Sequence, residues 1–348
     1  MSFKTIGAES FYSLNLLGWH GQHILRFLNT SFHPLFYFTV QVVIISFAIG
    51  FVPPRSNRRL LLLPLVVFCS YAIINSASEH LRLFWVCPLS GFANGVVLQY
   101  LDLGLLSHWG FDTKSAIILA QKQNGETLAH NRISTVIQRF YFGFLSTFSF
   151  RKVNTPYEVK NTPQFRDKRA PSKPRFLLQH VTMVLICILA VDVSSQLPPA
   201  PNPAELFAAQ RVHFLSRLGE VSGEEIAVRI MGSVLYWCNL FAILQGLFSF
   251  AALLAVSFGL SDVRSWRPLF GSLRDATSLR YFWGKFWHQS LRDALYKPGS
   301  FLTHKVLHLP PGILARYTKL FLAFLISGLM HAFAEVATGL ALHHGGSL

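Results

Sequence analysis

Residues 320–342 read LFLAFLISGLMHAFAEVATGLAL, an apolar run long enough to cross the hydrocarbon of a bilayer as one helix. Ser327, His331 and Glu335 interrupt it at i, i+4 and i+8, so they share one helix face. Turned toward lipid, a charge at mid-bilayer would cost ~2.5–3.5 kcal/mol. That face must therefore meet protein or a water-filled cavity. A spanning helix with an inward polar stripe implies other spanning helices around it.

The rest of the chain agrees. Of its 348 residues 51% are hydrophobic and 14% charged, against roughly 25% charged in soluble domains, and the mean hydropathy is +0.39. The fold class expected is an all-α integral membrane bundle of about six to eight spanning helices with amphipathic interfacial helices. It forms one polytopic domain over residues 1–348, with the chemistry concentrated in 261–340. The net charge of +15 sits in loops between apolar segments, which favours anionic headgroups and a phosphorylated small molecule over nucleic acid. Cys69, Cys87, Cys187 and Cys238 show no metal spacing and read as small apolar residues. Residues 1–30 do not form a cleavable signal peptide, because Glu9, Asn15, His20 and His23 break the apolar stretch.

Five more spans are expected: Pro34–Val52, Leu60–Asn75 with Pro64 in its first turns, 83–106 carrying Asn94, Gln99 and Asp102, Phe176–Val193, and Val228–Phe258. The last of these is too long for one upright helix, so it is either tilted or broken near Gly246. Residues 313–340 make the sixth. Ile133–Phe150 reads as an amphipathic interfacial helix and Ala204–Glu220 as a short helix-like piece. The basic stretches are RSNRR (55–59), the 107–175 segment with its 12 Lys and Arg, and the 261–311 segment. With six spans all three fall on one side, which the excess of positive charge assigns to the cytosol.

Within the final span Ser327 can bond a backbone carbonyl while His331 and Glu335 satisfy neighbouring helices, a structural role. Alternatively Glu335 selects the tautomer of His331 and supports it as a general base, with Gly328 leaving room beside it. The second dense feature is SLRYFWGKFWHQSLR (278–292), read as a helix with charges on one side and aromatic rings on the other.

At these residues the chain resembles a known family. FLISGLMH (324–331) is similar to the histidine motif of membrane-bound O-acyltransferases. WRPLFGSLRDATSLRYFWGKFWHQSLR (266–292) resembles the wax-synthase-like branch, where W-x-P-x-F-x2-L leads into S-L-R-x-F-W-G-x-x-W-(N/H). NTPYEVKNTPQF (154–165) fits the same branch, particularly fungal members that acetylate terpenoid and polyketide-terpenoid hydroxyls in secondary-metabolite pathways. The likeness covers about 150 to 340 in pieces. It implies a catalytic role for His331, supported by Glu335 and Ser327, and puts His288 at the second motif position, where many members have Asn. It implies that Phe282, Trp283 and Trp287 line the substrate path and that Arg280, Lys285 and Arg292 meet the phosphates of an acyl-CoA.

The reaction so implied is acetyl transfer from acetyl-CoA, a co-substrate, to a hydroxyl of a lipophilic acceptor in the bilayer of the endoplasmic reticulum. No bound cofactor, metal or nucleic acid takes part. Apolar surroundings are expected to keep the imidazole neutral and available as a base. Only 17 residues follow His331, where relatives continue through further spans, so a C-terminally shortened chain is expected. The alternatives are a long-chain acyl-CoA wax or sterol ester synthase, a transporter using His331 and Glu335 as a relay, and an inactive shortened homologue.

Overall fold

A computed structural model describes residues 32–339, apart from 112–131, 167, 168, 199, 201, 207, 212 and 213. The reading of residues 1–30 lies outside that range. The described residues contain helices, turns and loops but no strand. Six helices are long and apolar enough to cross a membrane: α1 (Pro34–Phe51), α2 (Arg58–His80), α3 (Leu83–Tyr100, prolonged to Leu106 by a π-helical turn), α5 (Lys173–Ser195), α6 (Gly223–Ser257) and α8 (Ile313–Val336). They are the six segments expected. Between them lie α4 (Arg132–Phe148) and α7 (Arg292–Phe301).

Contacts divide the chain into two units. The first holds α1 to α4, the chain from Ala294 onward and α8. Its helices are joined through small residues, as expected where lipid supplies no hydrophobic drive between helices. Tyr37, Ala72, Ile73 and Ala93 form one buried cluster, and Ala77, Val86 and Ala337 another. At Gly91 an added Cβ would lie 3.6 Å from Ala334 Cβ, so α3 and α8 nearly touch. α1 and α4 are closer still. A Cβ at Gly143 would overlap Ser46 O, and one at Gly50 would overlap Arg139 O. The amphipathic segment expected at 133–150 is thus a helix packed backbone to backbone on a spanning helix.

The end of α1 has a cause in the sequence. Pro53 and Pro54 have no N–H, so Ile49 O and Gly50 O lose the donors four residues on. Arginines replace them. Arg139 Nη1 donates to Gly50 O at 3.1 Å. Arg59, only 1% exposed, spreads its guanidinium over Val52 O (2.7 and 3.2 Å), Trp109 O (2.5 Å), Gly104 O (3.2 Å) and Ile49 O (3.5 Å). The RSNRR run is therefore not wholly a solvated loop, because its last residue is a buried cap. Nearby, Asp102 is buried on the π-helical turn and accepts from Lys297 Nζ at 2.7 Å and Ser107 Oγ at 2.5 Å.

The second unit, Ser149–Asp293 among the described residues, is built on the packed pair α5 and α6. Ser194 Oγ donates to Asn239 Oδ1 at 2.7 Å, and a Cβ at Gly246 would meet Cys187 Cβ at 3.2 Å. α6 runs unbroken for 35 residues. The break expected near Gly246 is absent, since this glycine serves close packing on α5. α6 starts at Ser222, which accepts from Glu225 N at 3.1 Å, with Glu225 clasped by Arg211, Arg217 and Arg229 at 2.9–3.3 Å. The helix-like piece expected at 204–220 is instead a series of single turns at Pro203–Leu206, Ala209–Arg211 and Leu215–Arg217. The arginines of those turns are held by Glu225.

Candidate functional site

In the first unit, α8 turns one face inward. Met330, Ala334 and Ala337 are buried against α3 and its neighbours. Ser327, His331 and Glu335 lie on an adjoining face, with His331 and Glu335 exposed and Ser327 half-buried, so the stripe expected to turn inward against protein or a water-filled cavity is not covered by the described residues. The imidazole is not free to spin. Its Nδ1 is 2.7 Å from Ser327 O. A carbonyl can only accept, so Nδ1 carries a proton, and in the neutral ring Nε2 is the nitrogen with the lone pair. The tautomer expected from Glu335 is set by the backbone of Ser327 instead, a bond a helix offers at i−4 because its side chains lean toward the N-terminus. Among the described residues nothing lies within 4 Å of a Cβ placed at Gly328, so the surface of α8 is open there. Chemically the face offers one oriented proton acceptor and, one turn on, a carboxylate.

In the second unit, 278–292 is not one helix. A single turn at Leu279–Tyr281 opens into a π-helical turn, Phe282–Phe286, and the chain is extended at Trp287. Tertiary bonds force this path. Gly271 N–H donates to Phe286 O at 2.8 Å, and Asn161 Nδ2 to Gly284 O at 2.7 Å. The buried Gln289 donates through Nε2 to Trp283 O at 3.1 Å and Trp287 O at 2.5 Å. Phe282, Trp283 and Trp287 collapse around Trp237 of α6, with centroids 5.1–6.3 Å away and steeply inclined rings. Leu269, Phe270 and Trp287 form the buried centre. His288 is half-buried, with Phe270 5.9 Å away edge-on and Trp287 at 5.4 Å.

The three cations expected to meet phosphate separate. Arg280 is exposed. Lys285 is exposed over the Tyr281 ring at 4.4 Å and lines an open cleft of about 470 Å³ with Asn161, Gln164, Arg166, Phe270 and Ser272. Arg292 is committed to the fold, donating to Lys160 O (3.3 Å), Gly284 O (3.2 Å) and Gln289 Oε1 (2.9 Å). Arg166 was missed by sequence reasoning, for nothing in KNTPQFR announces a cleft wall. That wall is held by Arg151, which donates to Pro268 O and Arg267 O at 2.5 and 2.8 Å, and by the Arg267–Glu158 pair at 2.6 Å. Burial, with Arg267 beside it, pulls Arg151 down to about 10, so it stays cationic at neutral pH. His331 belongs to the first unit, and His288 and the cleft to the second. Among the described residues no group of three or more His, Cys, Asp or Glu is placed to hold a metal.

Comparison with known proteins bears on both segments. A family model described as "Membrane bound O-acyl transferase family" matches residues 266–347. Acetyltransferase aurG of Calcarisporium arbuscula is 35% identical over 315 residues, 86% of this chain and 75% of the relative. Acetyltransferase fsoF of Humicola fuscoatra is 32% identical over 277 residues, 73% and 66% of the two chains. Acetyltransferase atnC of Arthrinium sp is 30% identical over 328 residues, 89% and 73%. No solved structure matches.

Proposed function

We propose, since the chain belongs to the membrane-bound O-acyltransferase family, and so to a class of O-acyl-transferring membrane enzymes, that it moves an acetyl group from acetyl-CoA to a hydroxyl of a lipophilic acceptor with His331 as general base. The observation that carries the reading is the Nδ1–H bond from His331 to Ser327 O, within the segment the family model matches. It leaves Nε2 as the acceptor, on a helix of hydrocarbon-crossing length, where an acceptor dissolved in the bilayer arrives. The acetyl donor is supported by three relatives that carry the name acetyltransferase. The acceptor class, a terpenoid or polyketide-terpenoid hydroxyl, and residence in the endoplasmic reticulum rest on the sequence resemblance alone.

In this mechanism the alcohol O–H donates to Nε2. As the oxygen attacks the thioester carbonyl the proton passes to the ring, the C–S bond breaks, and the imidazolium returns its proton to the departing thiolate, giving the ester and free CoA. No covalent acyl-enzyme is needed. The Ser327 carbonyl holds the ring in one orientation throughout and strengthens its bond to Nδ1–H as positive charge develops. Glu335, one turn on, favours the same charge. Proton removal by a positioned base supplies ~10²–10⁴-fold of the acceleration, and the remainder comes from holding donor and alcohol together. Arg166 and Lys285 are the cations proposed for the donor's phosphates, and the Trp237-centred ring cluster is the apolar support behind them.

The test is His331→Ala in microsomes, with insertion and abundance matched to the parent. Acetyl transfer from radiolabelled acetyl-CoA should fall by ~10²-fold or more. A rate equal to the parent's would remove His331 from the mechanism. Donors of graded acyl length in the same membranes separate acetyl transfer from long-chain ester synthesis.

A further inference from the structure

A line of hydrogen bonds crosses the first unit at the level of the residue before His331. Gln41 of α1, fully buried, donates through Nε2 to Val66 O of α2 at 3.1 Å and Ala93 O of α3 at 3.4 Å. Ser70 Oγ of α2 donates to Asn94 Oδ1 of α3 at 2.6 Å. Asn94 Nδ2 then donates to Met330 O of α8 at 3.2 Å. The amide orientation is fixed by chemistry, because Met330 O can only accept and so must face Nδ2, leaving Oδ1 toward the Ser70 hydroxyl. Four helices are joined in one layer, and its last bond lands on the backbone next to the imidazole.

We infer that Asn94, oriented by Ser70, is a positioning residue that fixes the rotation of α8 and with it the place of His331 Nε2. The inference rests on the reading of His331 as the base. Gly299 of α7 packs on Lys319–Ala323 of α8 and Lys319 Nζ donates to Tyr296 Oη at 3.4 Å, but these contacts lie about two to three turns from His331, and beside it the contacts with α3 do not set the angle well. Gly91 and Ala334 meet as small, smooth surfaces, and the Ala77, Val86 and Ala337 cluster is apolar and non-directional. The Asn94 bond is directional. A side chain tip rides about 6 Å from the helix axis, so a rotation of about 10° moves it by about 1 Å. Misplacing a reacting group by that distance costs on the order of 10²-fold in rate. A single interhelical hydrogen bond in a membrane adds little to stability, so rate and folding separate.

The experiment measures acetyl transfer from radiolabelled acetyl-CoA to farnesol, a lipophilic alcohol probe, per folded enzyme, for the parent, Asn94→Leu, Asn94→Asp, Ser70→Ala and His331→Ala. Asn94→Leu and Asn94→Asp should lower kcat by ~10–10²-fold with KM for acetyl-CoA within about twofold. Ser70→Ala, which only frees the amide to turn, should fall between them and the parent. A role confined to folding would instead lower the folded fraction and leave kcat per folded molecule unchanged. A rescue arm uses Gly91→Cys with Ala334→Cys in a chain whose four native cysteines are replaced by Ala. The 3.6 Å Cβ separation suits a disulfide, and oxidation should return most of the kcat lost in Asn94→Leu. Parent-like kcat per folded enzyme in both Asn94→Leu and Ser70→Ala, with His331→Ala inactive, overturns this inference and leaves the base assignment standing. Parent-like turnover in His331→Ala overturns the base assignment itself.

Discussion

Replacing Arg59 with methionine should destabilise the first unit more than replacing it with lysine, although methionine keeps much of the apolar stem. Arg59 is 1% exposed and its partners are backbone carbonyls, with Val52 O at 2.7 Å and Trp109 O at 2.5 Å as the short bonds. The positive group stands where α1 ends and the π-helical turn after α3 closes, two places where carbonyl dipoles converge, so partial negative charge gathers there. Arg59→Met would strand the two well-bonded oxygens and weaken the setting of Gly104 O and Ile49 O. A buried acceptor left without a partner costs about 1–3 kcal/mol. Water can reach Val52, which is half-buried, so its oxygen counts at the low end. The sum is about 3 kcal/mol, an apparent melting shift on the order of 5–10 °C. Arg59→Lys keeps the charge and one or two of the bonds but not the planar fork, and should lose roughly half as much. The assay is thermal unfolding in detergent with a thiol-reactive fluorogenic dye on a Cys87→Ala, Cys238→Ala background, because Cys69 of the first unit is buried and labels only when its helices part, whereas Cys238 is exposed and Cys87 half-buried. An Arg59→Met protein melting within about 2 °C of the parent would refute the cap, and so would an Arg59→Lys protein melting below the Arg59→Met one.

Gly143→Ala should part α1 from α4, since the new Cβ would overlap Ser46 O and overpacking of this kind costs about 1–3 kcal/mol; the same dye assay reads it, while Gly232→Ala, where nothing lies within 4 Å, is the neutral control. His288→Asn should keep acetyl transfer within about tenfold of the parent and lose ~0.5–1.5 kcal/mol of stability with the Phe270 edge contact. Complete loss of turnover in a folded His288→Asn would mean that the imidazole itself takes part in the chemistry.

The spanning helices were legible because length and hydropathy are local properties, and a bilayer enforces them one segment at a time. What the sequence concealed was set by partners distant along the chain. Gly246 carried the signal of a helix break, yet it marks where α6 presses on Cys187. The 278–292 run has the ring spacing of an amphipathic helix, yet Gln289 and Asn161 pull its carbonyls out of register. Arg59 looked like one more loop cation. Its clue was present in the two nearby prolines, Pro53 and Pro54, which leave carbonyls that some donor must reach.

The same distinction applies to the chemistry at His331. The polar stripe on α8 is legible from spacing, and spacing alone points to the nearest charge, Glu335, as what orients the imidazole. The helix supplies a nearer acceptor at every turn, the i−4 carbonyl, and His331 uses it. A backbone acceptor has a consequence that a carboxylate would not have. The orientation of the ring is inherited from the helix, so whatever sets the rotation of α8 also sets the proposed base. That transfers the demand for precision from Glu335 to the layer formed by Gln41, Ser70 and Asn94, polar residues whose presence inside spanning helices is costly unless they are bonded. In the mechanism proposed, Glu335 then acts on charge alone, favouring the imidazolium as it forms. The arrangement separates geometry from electrostatics. Asn94→Leu should therefore disturb the rate through position, and Glu335→Gln through the stability of the charged ring.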